Sequence, residues 1–262
     1  LILPLRENVC FSSPPTPSQE ERKVVQGVDI PKPTPMMAQY IEIKALNPDC
    51  LLFYRMGDFY ELFYEDAITA SRVLGIALTK RGKSGEQEIA MCGVPHHSLL
   101  NYLNKLLDEG FKVAICDQLE TPEEAKKRGG YKAVVNRSVT RIITPGTITE
   151  DSLLNAGIPN YLASISLLKN SAAIAFVDLS TSEINLVEVA HEEIINELVR
   201  ISPKELLISE KYRPEGLIQK ITAQLNSIIS YQVDSNFAQA KCVRIILDYY
   251  KIADLLSIGR LT

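Results

Sequence analysis

The feature that most constrains this chain is the length of its apolar runs. They are strand-sized, as in LLFYR at 51–55, FKVAICD at 111–117 and AAIAFVDL at 172–179. Between them lie segments whose apolar residues recur every three or four positions. A short apolar run bounded by turn signals suits a buried strand, and the longer period suits a helix lying on a sheet. Their alternation predicts a layered α/β (α+β) chain built on mixed sheets. No run approaches the roughly 20 residues that a membrane span needs, so no membrane partner is expected.

The ends and the charge set further bounds. Pro, Ser and charge crowd SSPPTPSQEERK and DIPKPTP without any period, which predicts a disordered or loosely attached tail over 1–33. The chain begins with Leu and reads as a piece of a longer protein, and no basic segment precedes an apolar core, so no signal peptide is expected. Its five cysteines are odd in number and form no CxxC pair, which suits a reduced, cytoplasmic protein. A net charge of −4 does not advertise a nucleic-acid binder, although a whole-chain sum hides local basic faces.

Order begins at Thr34, which suits an N-cap followed by Pro at N1. Met36, Met37, Tyr40, Ile41, Ile43 and Leu46 then form one apolar helical face. A strand follows at 51–55 and a turn at Gly57-Asp58. From Phe59 the spacing predicts a helix, with Leu62, Phe63, Ala67, Ala70, Val73 and Leu74 on one face. Next come a strand at 76–79, a turn over KRGKSGEQ, a strand at 89–91 and a loop over CGVPHHS. A helix is expected over 99–109, a strand over 111–117, and a short charged helix plus loop over ETPEEAKKRGGYK. The strand at 134–143 alternates so as to put Arg137 and Arg141 on one face.

TPGT at 144–147 marks a boundary, giving domains at 34–147 and 148–262. The second restarts with three strands (161–166, 172–178 and 183–189). Helix, strand, helix, strand and helix follow at about 191–200, 204–208, 214–225, 228–231 and 236–250.

Several motifs invite chemistry and resist it. RGKSG at 81–85 lacks the earlier Gly of a P-loop, and its turn joins strand to strand, leaving no helix N-terminus for a phosphate. Cys92, His96 and His97 in MCGVPHH have no second ligand group at zinc spacing. Asp178 in FVDLSTSE stands where a ribonuclease-H-like nuclease puts a metal carboxylate. Two-metal chemistry needs several converging acids, however, and a turn-forming Asp is the plainer account.

MGDFYELF at 56–63 supports two readings. Asp58 and Glu61 stand at capping-box spacing, with Phe59 packing as a staple at the start of a helix. Alternatively Phe59 and Tyr60, beside Met56 and Gly57 and ahead of the periodic core face, form an exposed apolar wedge of the kind that enters a minor groove.

The string TPMM, LLFYRMGDFYELFYEDA, ALTKRG, AMCGVPHH, KVAICDQLE and VTRIITPGT resembles the amino-terminal part of the MutS family of bacterial DNA mismatch repair proteins. The likeness runs from Thr34 to the end and is densest over 34–147. It implies a mixed-sheet mismatch-recognition domain followed by a ribonuclease-H-like connector domain that stops before its expected end. The family's Phe-X-Glu motif falls on Phe59-Tyr60-Glu61. By that match Phe59 stacks on a mispaired or unpaired base from the minor groove and Glu61 hydrogen-bonds it. Met56 lies beside the wedge, and Arg81 and Met91 line the duplex. The implied partners are mismatched double-stranded DNA, MutL and, in the full-length protein, a second copy as a homodimer.

No GxxxxGK[ST] occurs in the chain, so ATP and magnesium are expected only for an ATPase domain it lacks. No catalytic residue, metal ligand or cofactor is expected in this chain. Lys126, Lys127, Arg128, Lys132, Arg137 and Arg141 could meet phosphates or simply form a solvated charged face. Two other classes stand beside this one, a metal-dependent nuclease using Asp178 and an interaction module that never touches DNA.

Overall fold

The computed structural model describes residues 33–84, 87–214 and 216–255. The expected tail therefore lies outside the described residues, apart from Pro33. Thr34 caps the first helix α1 (Pro35–Leu46), its hydroxyl accepting the Met37 N–H at 3.4 Å, with Pro35 in the first turn. Met37 and Tyr40 of the expected apolar face are buried, whereas Ile41 and Leu46 stand open to solvent.

Strands β1 (Cys50–Met56) and β2 (Phe59–Phe63) form an antiparallel hairpin, with Met56 opposite Phe59 and Tyr54 opposite Glu61. This corrects the helix expected from Phe59. Gly57 at φ +60 occupies the first position of a two-residue loop, the glycine position of a II′ hairpin turn. Phe59 and Phe63 on one face and Tyr60 on the other then suit a pleated surface. Asp58 and Glu61 consequently form no capping box. Helix α2 (Tyr64–Leu74) starts five residues later, and Phe63 gives it no side-chain cap. Asp66 in its first turn is buried. It accepts the Leu52 N–H at 3.0 Å and the Lys44 ammonium at 2.9 Å, tying α1, β1 and α2 together.

The strand expected at 76–79 is displaced. Residues 76–78 are not strand, and β3 (Thr79–Ser84) starts at Thr79 and takes in all of KRGKS, while β4 (Gln87–Pro95) is longer than expected and absorbs CGVP. Between Lys80 and Lys83 the β3–β4 register slips, and Gly82 there has φ +62, so a glycine bulge lets the ladder run on past Arg81. α3 (Leu99–Asp108), β5 (Lys112–Gln118), α4 (Pro122–Gly129) and β6 (Arg137–Ile143) complete the unit.

Its six strands run β3-β4-β2-β1-β5-β6, with only the β1–β5 pair parallel. One face carries Leu51, Phe53, Tyr60, Leu62 and Val113 against α2 and α3. The other carries Leu52, Tyr54, Phe63 and Cys116 against Met37 and Tyr40 of α1. A second bulge, at Thr140 opposite the Ile115–Cys116 step, flips the alternation of β6. Arg137 therefore faces the α1 side beside Tyr54, and Arg141, in phase with Ile143, pairs with Glu150. The expectation that both arginines share a face fails for that reason.

The second sheet has the order β11-β10-β7-β8-β9. β7 (Tyr161–Leu167), β8 (Ser171–Asp178) and β9 (Glu183–Ala190) form an antiparallel meander. β10 (Glu205–Ser209) pairs in parallel with β7 and with β11 (Ile228–Gln232). This is the ribonuclease-H-like arrangement expected. α5 (Ile194–Ile201) and α6 (Gly216–Gln224) bury Ile194, Leu198, Ile218 and Ile221 on one side of it. α7 (Gln239–Tyr250) follows β11 and buries no residue.

Candidate nucleic-acid interface

The β1–β2 hairpin determines how Phe59 is presented. The tip is fixed from several directions. The Gly57 N–H donates to Gln118 Oε1 at 3.1 Å, Arg55 Nε donates to the Gly57 carbonyl, and the Asp58 carbonyl accepts the His96 N–H at 2.8 Å. One residue on, the buried Tyr60 hydroxyl donates to Asp117 Oδ1 at 2.6 Å, and Asp117 Oδ2 accepts from Thr140 at 2.6 Å. Strand alternation then sends Tyr60 into the core and Phe59 to the opposite face. Phe59 is 48% exposed, while Phe53, Tyr60 and Phe63 are at or near zero.

Glu61 lies on the same face as Phe59, and its side chain is 19% exposed. Burial pushes its carboxyl above the usual carboxylate value, outweighing the opposing pull of Arg81 and Arg137. Arg81 forms an ion pair with it and lies over the Phe63 ring at 5.7 Å. Met91 sits opposite Phe63 on one side and Thr79 on the other. Met56 faces Phe59 across the hairpin, its sulfur 3.4 Å from an Arg137 guanidinium nitrogen. Thus all five residues singled out from the sequence, Met56, Phe59, Glu61, Arg81 and Met91, share one sheet face.

Arg137 belongs with them more closely than its place in a basic stretch suggested. It stacks over Tyr54 at 4.8 Å and donates to the Arg55 carbonyl at 2.7 Å. Most of the other basic residues are engaged locally. Arg128 pairs with Glu120, Lys126 lies 4.0 Å from the Tyr131 ring centroid, and Arg141 pairs with Glu150. Gln118 and Asp117, which brace the hairpin, were invisible to local pattern because they lie 61 and 57 positions from their partners.

The remaining motif residues have structural employment. Cys92 is buried, which pushes its thiol up to about 11, while His96 and His97 are exposed in a short turn. Asp178 is 4% exposed and accepts from the Asn160 and Ser180 N–H groups, both at 2.9 Å, and from the Ser180 hydroxyl at 2.6 Å. It is the turn-organising residue that its sequence context suggested. Among the described residues, no three acidic, Cys or His side chains gather as a metal site would require. No helix among them is long and apolar enough to cross a membrane.

Two family models match the chain, MutS domain I over residues 34–152 and MutS domain II over residues 160–261. The chain belongs to the MutS family. Its six-stranded sheet falls within the domain I match and its five-stranded sheet within the domain II match. The DNA mismatch repair protein MutS of Rickettsia felis is 63% identical over 231 residues, covering 87% of this chain and 26% of that protein. The Rickettsia rickettsii protein of the same name is equally similar, and that of Rickettsia bellii is 61% identical over the same length. This MutS-family chain thus spans about a quarter of the length of the curated relatives it matches.

Proposed function

We propose that this chain is the part of a mismatch repair protein that finds mispaired or unpaired bases in double-stranded DNA. Phe59 enters the minor groove as a wedge and stacks on the base, Glu61 hydrogen-bonds that base, and the duplex kinks. The observation that carries the reading is the pairing of a half-exposed Phe59 with a half-buried Glu61, two residues apart on one face of a braced hairpin.

Unstacking and kinking a base step costs roughly a few kcal/mol, and stacking on an aromatic ring returns about 1–3 kcal/mol. The two nearly cancel on matched DNA. A mispaired or extra base is already poorly held, so its deformation costs less, and selectivity follows from deformability rather than from sequence readout. A rigid hairpin helps, because little freedom is lost when the wedge enters.

A carboxylate near phosphates is unfavourable unless it accepts a hydrogen bond from the base or carries a proton and donates one. The raised carboxyl of Glu61 brings the second option closer to neutral pH. In the full-length protein the second domain relays to the ATPase and to MutL, and two copies form the homodimer.

The experiment is equilibrium binding to a duplex with one unpaired thymine and to its matched counterpart. Wild type and Phe59→Ala are compared in this chain and in a chimera carrying the rest of the Rickettsia felis relative. Loss of discrimination in the Phe59→Ala chimera is expected. Undiminished discrimination would make Phe59 a packing residue and end the reading.

A further inference from the structure

Arg81 reaches Glu61 from outside the wedge hairpin. It lies on β3, beside the Gly82 bulge, and its side chain is 38% exposed against 19% for Glu61. The charged groups acting on Glu61 are Arg81 on β3 and Arg137 on β6. Its cross-strand neighbours, Tyr54 on β1 and Gly93 on β4, carry no charge. Gln39 of α1, which belongs to the network of Arg137 and Tyr54, is neutral as well. Arg137 is committed elsewhere, to the Arg55 and Val135 carbonyls and to Gln39. Arg81 alone makes a direct ion pair with Glu61 among the described residues.

A duplex seated on Phe59 brings phosphates to this edge of the sheet. A guanidinium pairs with phosphate in the same two-pronged geometry it uses with carboxylate, so phosphate competes directly for Arg81. We propose that Arg81 is a positioning residue for mismatch recognition. It occupies Glu61 in the DNA-free protein and releases it when duplex phosphates draw the guanidinium away. The inference rests on the wedge reading above.

The exchange lowers affinity for all duplexes alike and leaves Glu61 free to discriminate. Breaking the pair leaves a half-buried carboxyl without its cation on every duplex, an unfavourable state. Only a displaced or mispaired base, whose edge is free, restores a hydrogen bond to Glu61. On matched DNA the base edge is already paired and the penalty stands.

The test is a double-substitution cycle with the matched and unpaired-thymine duplexes, in this chain and in the chimera, joined to an NMR titration of the Glu61 carboxyl carbon without DNA. The cost of breaking the pair is the same on both duplexes, so Arg81→Gln is expected to leave the ratio of their affinities nearly unchanged. It removes a phosphate contact but also the pair that must break, so it weakens binding to either duplex several-fold less when Glu61 is present than in Glu61→Gln. Arg81→Lys, which keeps the charge, binds both duplexes more nearly as wild type does. In the DNA-free protein, Glu61 titrates at higher pH in Arg81→Gln than in wild type, because the one direct cation is gone. An unmoved midpoint overturns the proposal. So do additive effects of the two substitutions, which would mean that Arg81 acts on the duplex independently of Glu61. Discrimination that survives Phe59→Ala removes the wedge reading whatever the titration does, so the two failures are told apart.

Discussion

The Thr144 hydroxyl donates to the Glu205 carboxylate across 61 positions of sequence, joining the loop that leaves the first sheet to β10 of the second. Glu205 is 2% exposed and also accepts the Gly146 N–H at 3.3 Å and the Ser230 hydroxyl. Any side chain at Gly146 would place its Cβ 2.8 Å from the Glu205 Cβ and 3.0 Å from a Leu162 methyl. Glutamate and glycine are thus fitted to one another at the joint. Glu205→Ala strands three buried donors at once, each costing about 1–3 kcal/mol when left without an acceptor. A loss of at least about 2 kcal/mol is expected in urea unfolding. A change within about 0.5 kcal/mol would place Glu205 among inconsequential surface residues.

Gly57 is required for a different reason. A Cβ built there meets nothing within 4 Å, so space is no obstacle, but the backbone has φ +60. The left-handed conformation costs an ordinary residue about 1–2 kcal/mol. Gly57→Ala should lose about that much stability, and Gly57→Asn less, because asparagine tolerates the conformation better. Equal losses for the two would mean that the turn relaxes to a different type.

Asp178 gives a pH signature. Burial alone would raise its carboxyl, but the hydrogen bonds from Ser180, Asn160 and Thr181 outweigh burial and hold it below 3.8. A depressed carboxyl stabilises the fold above the unfolded-state value, and that stabilisation disappears as pH falls through the folded-state value. The stability gap between wild type and Asp178→Asn should therefore be widest near neutral pH and close in acid. A gap independent of pH would assign the residue's role to shape rather than charge.

Much of this architecture was legible because strand-length apolar runs and amphipathic helices carry their period locally. The helix at 99–109, the strand at 111–117 and the 161–190 meander lie within a residue or two of expectation. The helix expected from Phe59 failed because Leu62, Phe63, Ala67 and Ala70 satisfy a helical spacing across a strand–helix junction. The informative signal was Gly57-Asp58 itself, a two-residue loop between apolar runs. Bulges at Gly82 and Thr140 were illegible because they are properties of a strand pair rather than of either strand. The site residues were found through the family likeness of their motifs. Their mutual geometry, above all Arg81 on Glu61 and Arg137 on Met56, depends on cross-strand neighbours that no local pattern encodes.

Phe59 and Phe63 offer the sharpest contrast in the hairpin. Both project from the same face of β2, four residues apart, and both are phenylalanine. Phe63 is fully buried, with the Tyr40 ring edge-on at 5.0 Å, whereas Phe59 is 48% exposed. Truncating a buried phenylalanine costs about 3–5 kcal/mol, through lost transfer energy and the cavity left behind. An exposed ring has little of either to lose, so Phe59→Ala should cost no more than about 1 kcal/mol. Thermal and urea unfolding of the two variants measures the difference directly. A loss of several kcal/mol for Phe59→Ala would show that the ring is held by packing within the fold, as the hydrophobic staple reading required. Near-neutral stability leaves a large aromatic surface at a braced tip with no folding role, and a residue in that position is available for DNA.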